Sequence, residues 1–553
     1  MVTKSLLRAI PLMLALWTPA AAPSEADHRE FDATLYAPFR GDAAGEARTF
    51  TIALEFPLAT APQLVGWRLD LVATDGRVVG QWSGVTSLFR DPVSIDVRWD
   101  GSAGPAAAPA GIYRVQLRAW ARDEGAGASP LGADDDVEQA WEIAVGRPAA
   151  PAMPAFRGMR PHVADSGLAP AAASLPYTVF LGNLHSQTGH SDGGGDVANC
   201  KGAQQAQSAL PGPAEAYDYA SKRGLDILVT SEHNHMYDGS SGTEPAADPA
   251  AALKLYRSGL DAAVRFNASH PRFLAVYGME WGVIDKGGHM NIFNSPELLG
   301  WERNGDGKLL AAILTPKNDY GALYALMRQR NWVGQFNHPA RSGQFVVNGV
   351  PMGYSEDGDA AMALCEVVNT NAFSANTSET ETRRSNYEMA CNRALEAGFH
   401  VAFSSNQDNH CANWGASYTN RTGVLIPAGS ALTQDSFLDA LRARRVFATM
   451  DKGSQLVLTA NGKMMGERFV NSGPLNLLTH FANSAGKAVA SVVVFEGVPG
   501  RNGTVAELSR TASTTFTPAP GEHFYYARLT QEDGNMLWSA PVWVTQVASE
   551  VRP

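Results

Sequence analysis

Apolar and polar positions alternate with period two in the first part of the chain. Trp67, Leu69 and Leu71 alternate before an Asp75-Gly76 turn, and Val93, Ile95, Val97 and Trp99 before Asp100-Gly101. Tyr113, Val115, Leu117 and Ala119 follow a Pro-Ala-Gly turn at 109–111. Alternation punctuated by Gly and Pro predicts half-buried antiparallel strands, hence a β-sandwich over 27–146. Residues 147–176 are rich in Ala and Pro, have no apolar period, and read as a linker. The period then changes. Helical patterns over 213–224, 249–267, 320–330 and 386–398 each precede an apolar run that breaks into polar residues. Asp248 is placed to cap the second, with Pro249 as its first helical residue, and Thr433 to cap a last helix carrying Phe437, Leu438 and Leu441 on one side. Helix then strand, repeated over 177–450, predicts an α/β domain with a mostly parallel sheet. Alternation returns over 451–553, which predicts a C-terminal β-sandwich. Trp538, Trp543, Tyr525 and Tyr526 there are read as core, with sugar stacking as the alternative.

Length and composition narrow this picture. A chain of 553 residues exceeds one compact core, and 45% hydrophobic with 18% charged residues is ordinary for a globular protein. Lys4 and Arg8, an apolar run over 10–17 and small residues up to Ala26 read as a signal peptide over 1–26. The mature chain is then expected to begin near Asp27, in the periplasm or outside the cell. No run is long enough for a membrane span. The formal net charge of −11 becomes about −12 without the leader, and no basic stripe with interleaved aromatics exists, which argues against a nucleic-acid partner. The four cysteines, Cys200, Cys365, Cys391 and Cys411, form no C-x-x-C pair. Cys200 follows the first polar loop and Cys411 follows His410, so these two are expected to pair, the alternative being buried free thiols.

The candidate chemistry lies where the central apolar runs end. Tyr177 to Leu184 stops at His185, followed by Gln187, His190 and Asp192. Other runs end in His233 with His235 beyond it, in Glu280 before His289, in His338, and in Asp408 with His410. Five of the chain's 13 histidines and three carboxylates thus recur at strand ends, where a barrel gathers its functional groups. Burying those carboxylates together without cations would be costly. Imidazole with carboxylate points to two or three divalent zinc, manganese or iron ions.

In their order these motifs resemble the polymerase-and-histidinol-phosphatase (PHP) metallohydrolases: His-x-His-Thr-x-x-Ser-Asp-Gly, Thr-Asp-His, Gly-x-Glu, Gly-His, His-Pro and Asp-x-His. The match departs at Gln187, at Glu232 and at the Asn-Gln before Asp408. The resemblance implies a distorted (βα)7 PHP barrel over 177–450, flanked by the two sandwiches. It implies a first metal site of His185, Gln187, Glu280 and Asp408, a second of Glu280, His289 and His338, and a third of Asp192, His233 and His410. His190 and His235 lie beside those positions and are candidates for substrate contact or proton transfer. Arg341 could hold an anionic group, and Glu366 either supports a ligand or faces solvent. The C-terminal stretch over 525–544 is similar to the tail of the carbaryl-hydrolase-like branch.

The function implied is an exported metal-dependent hydrolase of phosphoester or carboxylic or carbamic ester bonds, acting on a small molecule. The alternative is a catalytically weak surface or binding protein with a metal-stabilised scaffold. The sequence does not set the oligomeric state.

Overall fold

A computed structural model describes residues 31–42, 45–56, 59, 61–123, 136–161, 175–200, 204–283, 287–340 and 343–548. The proposed leader and Arg341 lie outside them.

Two antiparallel sheets make the N-terminal module. One joins Asp32–Tyr36, Arg48–Glu55 and Val93–Trp99; the other joins Val78–Leu88, Gln63–Val72, Gly111–Asp123 and Asp136–Val145. Period two decides what each face does. Ala33, Leu35, Ile52 and Leu54 are buried with Val65, Leu69, Val115 and Leu117, while the intervening residues face outward.

The central sheet is built around three parallel strands, Tyr177–Asn183, Ile227–His233 and Leu274–Trp281. Pairing continues antiparallel to Met290–Ile292 and again to Gly334–Phe336, then parallel to Met362–Thr370 and Ala402–Ser405. On the other flank Tyr177–Asn183 runs antiparallel to Arg421–Pro427. The two flanks meet through a side chain. Thr422 Oγ1 accepts from Ser405 N at 2.9 Å and donates to Ser405 O at 3.2 Å, in place of ladder bonds.

This corrects the expected (βα)7 barrel. Among the described residues there are six α-helices against thirty-two strands, and three pairings around the ring are antiparallel. For the first of these, the turn back into Met290–Ile292, the physical reason is the length of the connection. A parallel return needs a crossover of a dozen or more residues, usually helical, whereas a short turn gives an antiparallel partner. Only a short loop separates Trp281 from Met290, so the chain folds straight back. The helices that do form obey local signals. Asp248 caps Pro249–Ser269 by accepting from Ala250 N, Thr433 caps Gln434–Arg442, and Gly398, at φ 117°, ends Glu388–Ala397.

The C-terminal strands are continuous with this sheet: Val446–Thr449 pairs with Met536–Ser539, which leads to Gly521–Gln531 and Val489–Gly497. A four-stranded sheet centred on Ser454–Ala460 and Leu475–Asn483 lies beside it. Trp538, Trp543, Tyr525 and Tyr526 are buried. Cys200 is bonded to Cys411, as expected from their places in the chain, and Cys365 to Cys391, a pair the spacing did not indicate.

Candidate metal centre

The central strands whose ends or following loops carry His185, His233, Glu280, His338 and Asp408 deliver them to one mouth. The loop after Tyr177–Asn183 is laced to the loop after Ala402–Ser405: Asp408 N donates to His185 O at 3.0 Å and Gln187 N to Asn409 O at 2.9 Å. The first loop also closes tightly on itself, since a Cβ on Gly193 would stand 2.2 Å from the Gln187 carbonyl carbon. The disulfide between Cys200 and Cys411 fastens these two loops. Two residues at the mouth hold backbone that side chains rarely adopt, His338 at φ 24° and Asp408 at φ 50°. Such conformations persist only where the surroundings enforce them, and they concentrate at functional sites.

Glu280 is the hub. Its carboxylate is 3.1 Å from His185 Nε2, 3.3 Å from His233 Nδ1, 3.0 Å from His289 Nδ1 and 3.2 Å from His338 Nε2. Asp408 stands 3.0 Å from His185 Nε2 and 3.8 Å from His338 Nε2. Asp192 stands 3.6 Å from His233 Nε2 and 3.4 Å from His410 Nε2. All eight residues are buried except His338, which is half-buried. Three groups place one ligand atom each within 4.8 Å of the others: His185, His338 and Asp408; Asp192, His233 and His410; His233, Glu280 and His289. The third expected site has the same membership as one of these. The other two are regrouped, with His338 moving toward Asp408 and His233 joining Glu280 and His289.

Electrostatics follow from this crowding. Burial lowers the proton affinity of His338 and His410, but Glu280 acting on the first and Asp192 on the second override it, raising them to about 9 and about 10. His185 is held well above its ordinary value by Asp408 and Glu280, against burial. Burial opposes the charge on Glu280, yet His185, His289 and His233 hold it well below the usual carboxylate range. Glu280 is thus held ionised beside His185 and His338, whose protons stand where a metal ion would.

Gln187 is turned differently from the expected ligand. Its Nε2 donates to Glu280 Oε2 at 2.7 Å and its Oε1 accepts from Ser191 Oγ at 3.2 Å. A carboxylate neighbour selects the amide's donor end, so Gln187 orients Glu280 and offers no oxygen to a cation. Glu232 is likewise tied inward, accepting from Thr188 N, Thr188 Oγ1 and Ser191 Oγ at 2.9, 2.6 and 2.7 Å, and burial pushes its carboxyl up to about 7.

Of the further candidates, His235 is buried beside the cluster, its ring between His233 at 5.7 Å and Trp301 at 6.1 Å. His190 is not brought in. Its Nδ1 lies 2.8 Å from Tyr277 Oη, and burial lowers it to about 4. The carboxylate acting on it is that of exposed Glu215.

Glu366 does not face solvent. It accepts from His338 N at 2.8 Å, Asn406 Nδ2 at 2.9 Å and Asn369 Nδ2 at 3.1 Å, and stands 3.3 Å from His185 Nδ1. A carboxylate on the far nitrogen is how metal-binding histidines have their tautomer and orientation fixed. Asn337, not singled out from sequence, donates to Glu280 Oε1 at 2.8 Å. Its position directly before His338 was the available signal.

No family model matches the chain, and no curated protein matches it. Several of the solved structures with some similarity are glycoside hydrolases by name. A β-glucuronidase from Bacteroides uniformis shows 10% identity and a TM-score of 0.16, over 93% of this chain and 61% of that one. A β-glucuronidase from Parabacteroides merdae shows 9% and 0.14, over 94% and 65%. A glycosyl hydrolase family 2 member from Bacteroides cellulosilyticus shows 10% and 0.13, over 95% and 64%.

The chain therefore spans less than two thirds of these proteins, and at such TM-scores the likeness carries no argument about its fold or activity. They are hydrolases, the broad class expected here, but not PHP proteins. Because no family model, a PHP one included, matches the chain, the PHP assignment and its carbaryl-hydrolase-like branch are corrected, and the chain is placed in no family. The phosphoester and carboxylic or carbamic ester bonds, which rested on that assignment, go with it.

Proposed function

We propose that the cluster is a divalent-metal centre and that the chain is a hydrolase working through it. The observation that carries this is the gathering of five histidines around Glu280, Asp408 and Asp192. Among the described residues, the ion-pair partners of Glu280 and Asp408 are histidines, with no Lys or Arg. Imidazole and carboxylate in this proportion suit zinc, manganese or iron. His185, His338 and Asp408 would hold one ion, His233, Glu280 and His289 a second, and Asp192 with His410 a third that shares His233. A divalent ion bound there supplies Lewis acidity and lowers the pKa of its water to ~7.

The protein's own part is to hold these groups still. Glu366 keeps His185 Nδ1 engaged so that Nε2 faces Glu280 and Asp408. Gln187 and Asn337 steady the two oxygens of Glu280. Loop lacing and the disulfide between Cys200 and Cys411 fix the first loop against the last. Export is part of the same proposal, since two disulfides suit an oxidising compartment. Among the described residues no helix is long and apolar enough to cross a membrane.

The test is hydrolysis of a nitrophenyl panel spanning glycoside, ester and amide bonds. It is run on purified protein, on chelated protein, and on chelated protein given back zinc, manganese or iron. Hydrolysis that disappears with the metal and returns with it is expected. Turnover untouched by chelation would contradict the proposal, and metal binding with no turnover on any bond would favour the scaffold alternative.

A further inference from the structure

Along two strands of the N-terminal three-stranded sheet the outward face does not open to solvent. Along Asp32–Tyr36 and Arg48–Glu55, alternate residues fill the module's core, so Asp32, Thr34, Ala53 and Glu55 point away from it. In an isolated module these positions would be exposed, yet all four are half-buried. The cause is the central domain standing against them. Thr34 Oγ1 lies 3.2 Å from Ser385 Oγ, and the Arg383 guanidinium lies 5.7 Å from the Tyr36 ring. Behind this contact, Asn386 N donates to Gln139 Oε1 at 2.6 Å and Asn386 Nδ2 to Ala140 O at 2.7 Å, which fixes the module on the domain.

Between the two lies a cavity of about 190 Å³. Asp32, Thr34, Ala53 and Glu55 line it from one side, His338 and Asp408 from the other. Two members of the candidate metal centre therefore look across a confined space at another module. Resting on the metal-centre reading, we propose that this sheet face is a wall of the active site, and that it restricts access to small molecules. Pockets that take drug-sized ligands measure roughly 300–1,000 Å³, so a space of 190 Å³ admits only a compact substrate and no polymer segment. The wall belongs to a module that contributes nothing to the ligand set, so it can change what reaches the centre without changing the centre.

A gating wall and a merely structural interface differ in how fast the metal can be reached. The experiment loads full-length protein with manganese and follows release of the ion to dipicolinate, a compact planar chelator. Three proteins are compared: the natural chain, Ala53→Trp, which fills the cavity from the module's side, and Val85→Trp as a control. Val85 is exposed on the module's other sheet and does not line the cavity. Melting curves establish that each variant is folded.

We expect Ala53→Trp to take up as much manganese as the natural chain but to lose it about tenfold more slowly, the scale of a misfit in a pocket. Val85→Trp should match the natural chain. Glu55→Ala, which opens the wall, should speed release and rescues the test if Ala53→Trp does not fold. Release unchanged by Ala53→Trp and Glu55→Ala, in protein that holds manganese, would overturn the wall alone. A natural chain that takes up no manganese, zinc or iron would overturn the metal-centre reading and the wall with it.

Discussion

Two places in this molecule bury several charges, and they are built on opposite plans. Where the three modules meet, Arg528 donates to Glu388 Oε2 at 2.5 Å and to Glu142 Oε1 at 2.7 Å, all three residues being buried. The remaining carboxylate oxygens accept from Tyr526 Oη at 2.8 Å and Thr530 Oγ1 at 2.7 Å. Burial works against the charge on Glu142, and Arg528 reverses it. At the mouth, the ion-pair partners of Glu280 and Asp408 among the described residues are imidazoles, and Asp192 stands beside His233 and His410. A guanidinium keeps its charge at every working pH, whereas an imidazole is charged only while it holds a proton. The first cluster is complete within the protein. On the reading proposed above the second would exchange protons for a cation, and that difference would separate a fastening from a site.

The comparison breaks most visibly if the fastening is undone. Arg528→Met leaves Glu142 and Glu388 buried without a cation, which should cost about 3–5 kcal/mol of stability. Chemical denaturation measures it, and added zinc or manganese should restore nothing there. At the mouth the reverse is expected. Chelation should destabilise the protein by about 3 kcal/mol where the ion had stood near a hundredfold above its Kd, and returning the metal should recover it. Calorimetry with and without chelator reads this directly.

Much of the second cluster is legible in the amino-acid order alone, and the reason is local. His185, His233, Glu280, His338 and Asp408 sit where an apolar run stops, and a strand end is a property of a few adjacent residues. The pairing of Cys200 with Cys411 is readable for the same reason, each following a polar loop. What stays hidden depends on partners distant in sequence. Strand direction is one such feature: Met290–Ile292 folds back over a short connection, whereas Arg421–Pro427 meets a strand from far earlier in the chain. Glu366 is another, since only the folded chain shows three donors converging on it. The outward residues of Asp32–Tyr36 follow the pattern of a solvated face and become a cavity wall only through docking.

Asp226 sharpens the contrast with a smaller effect. It is buried, accepts from Leu181 N at 2.8 Å, and has Arg421 only at a distance, so burial pushes its carboxyl up to about 7. A folded pKa above the unfolded value gives stability that is present below pH ~3.9 and lost as pH rises through about 7. Asp226→Asn keeps an acceptor for Leu181 and removes the titration. At pH 8 it should be more stable than the natural chain by about 2 kcal/mol, and the advantage should vanish near pH 4. Equal stabilities at both pH values would contradict this.

Gln187→His is the finest of these tests. It exchanges the donor that steadies Glu280 for an imidazole able to ligate, so one ion should be retained about tenfold more tightly in a chelator titration. Unchanged retention would show that Gln187 does no more than orient Glu280.

The central claim is that the mouth is a metal centre, and metal content per chain tests it most directly. Native mass spectrometry of protein purified without chelator and reloaded with zinc, manganese or iron should find two to three divalent ions per chain. Replacing the hub by Glu280→Ala should lower that number while the Arg528 fastening keeps the chain folded. A natural chain carrying no stoichiometric metal, with or without reloading, would contradict the claim.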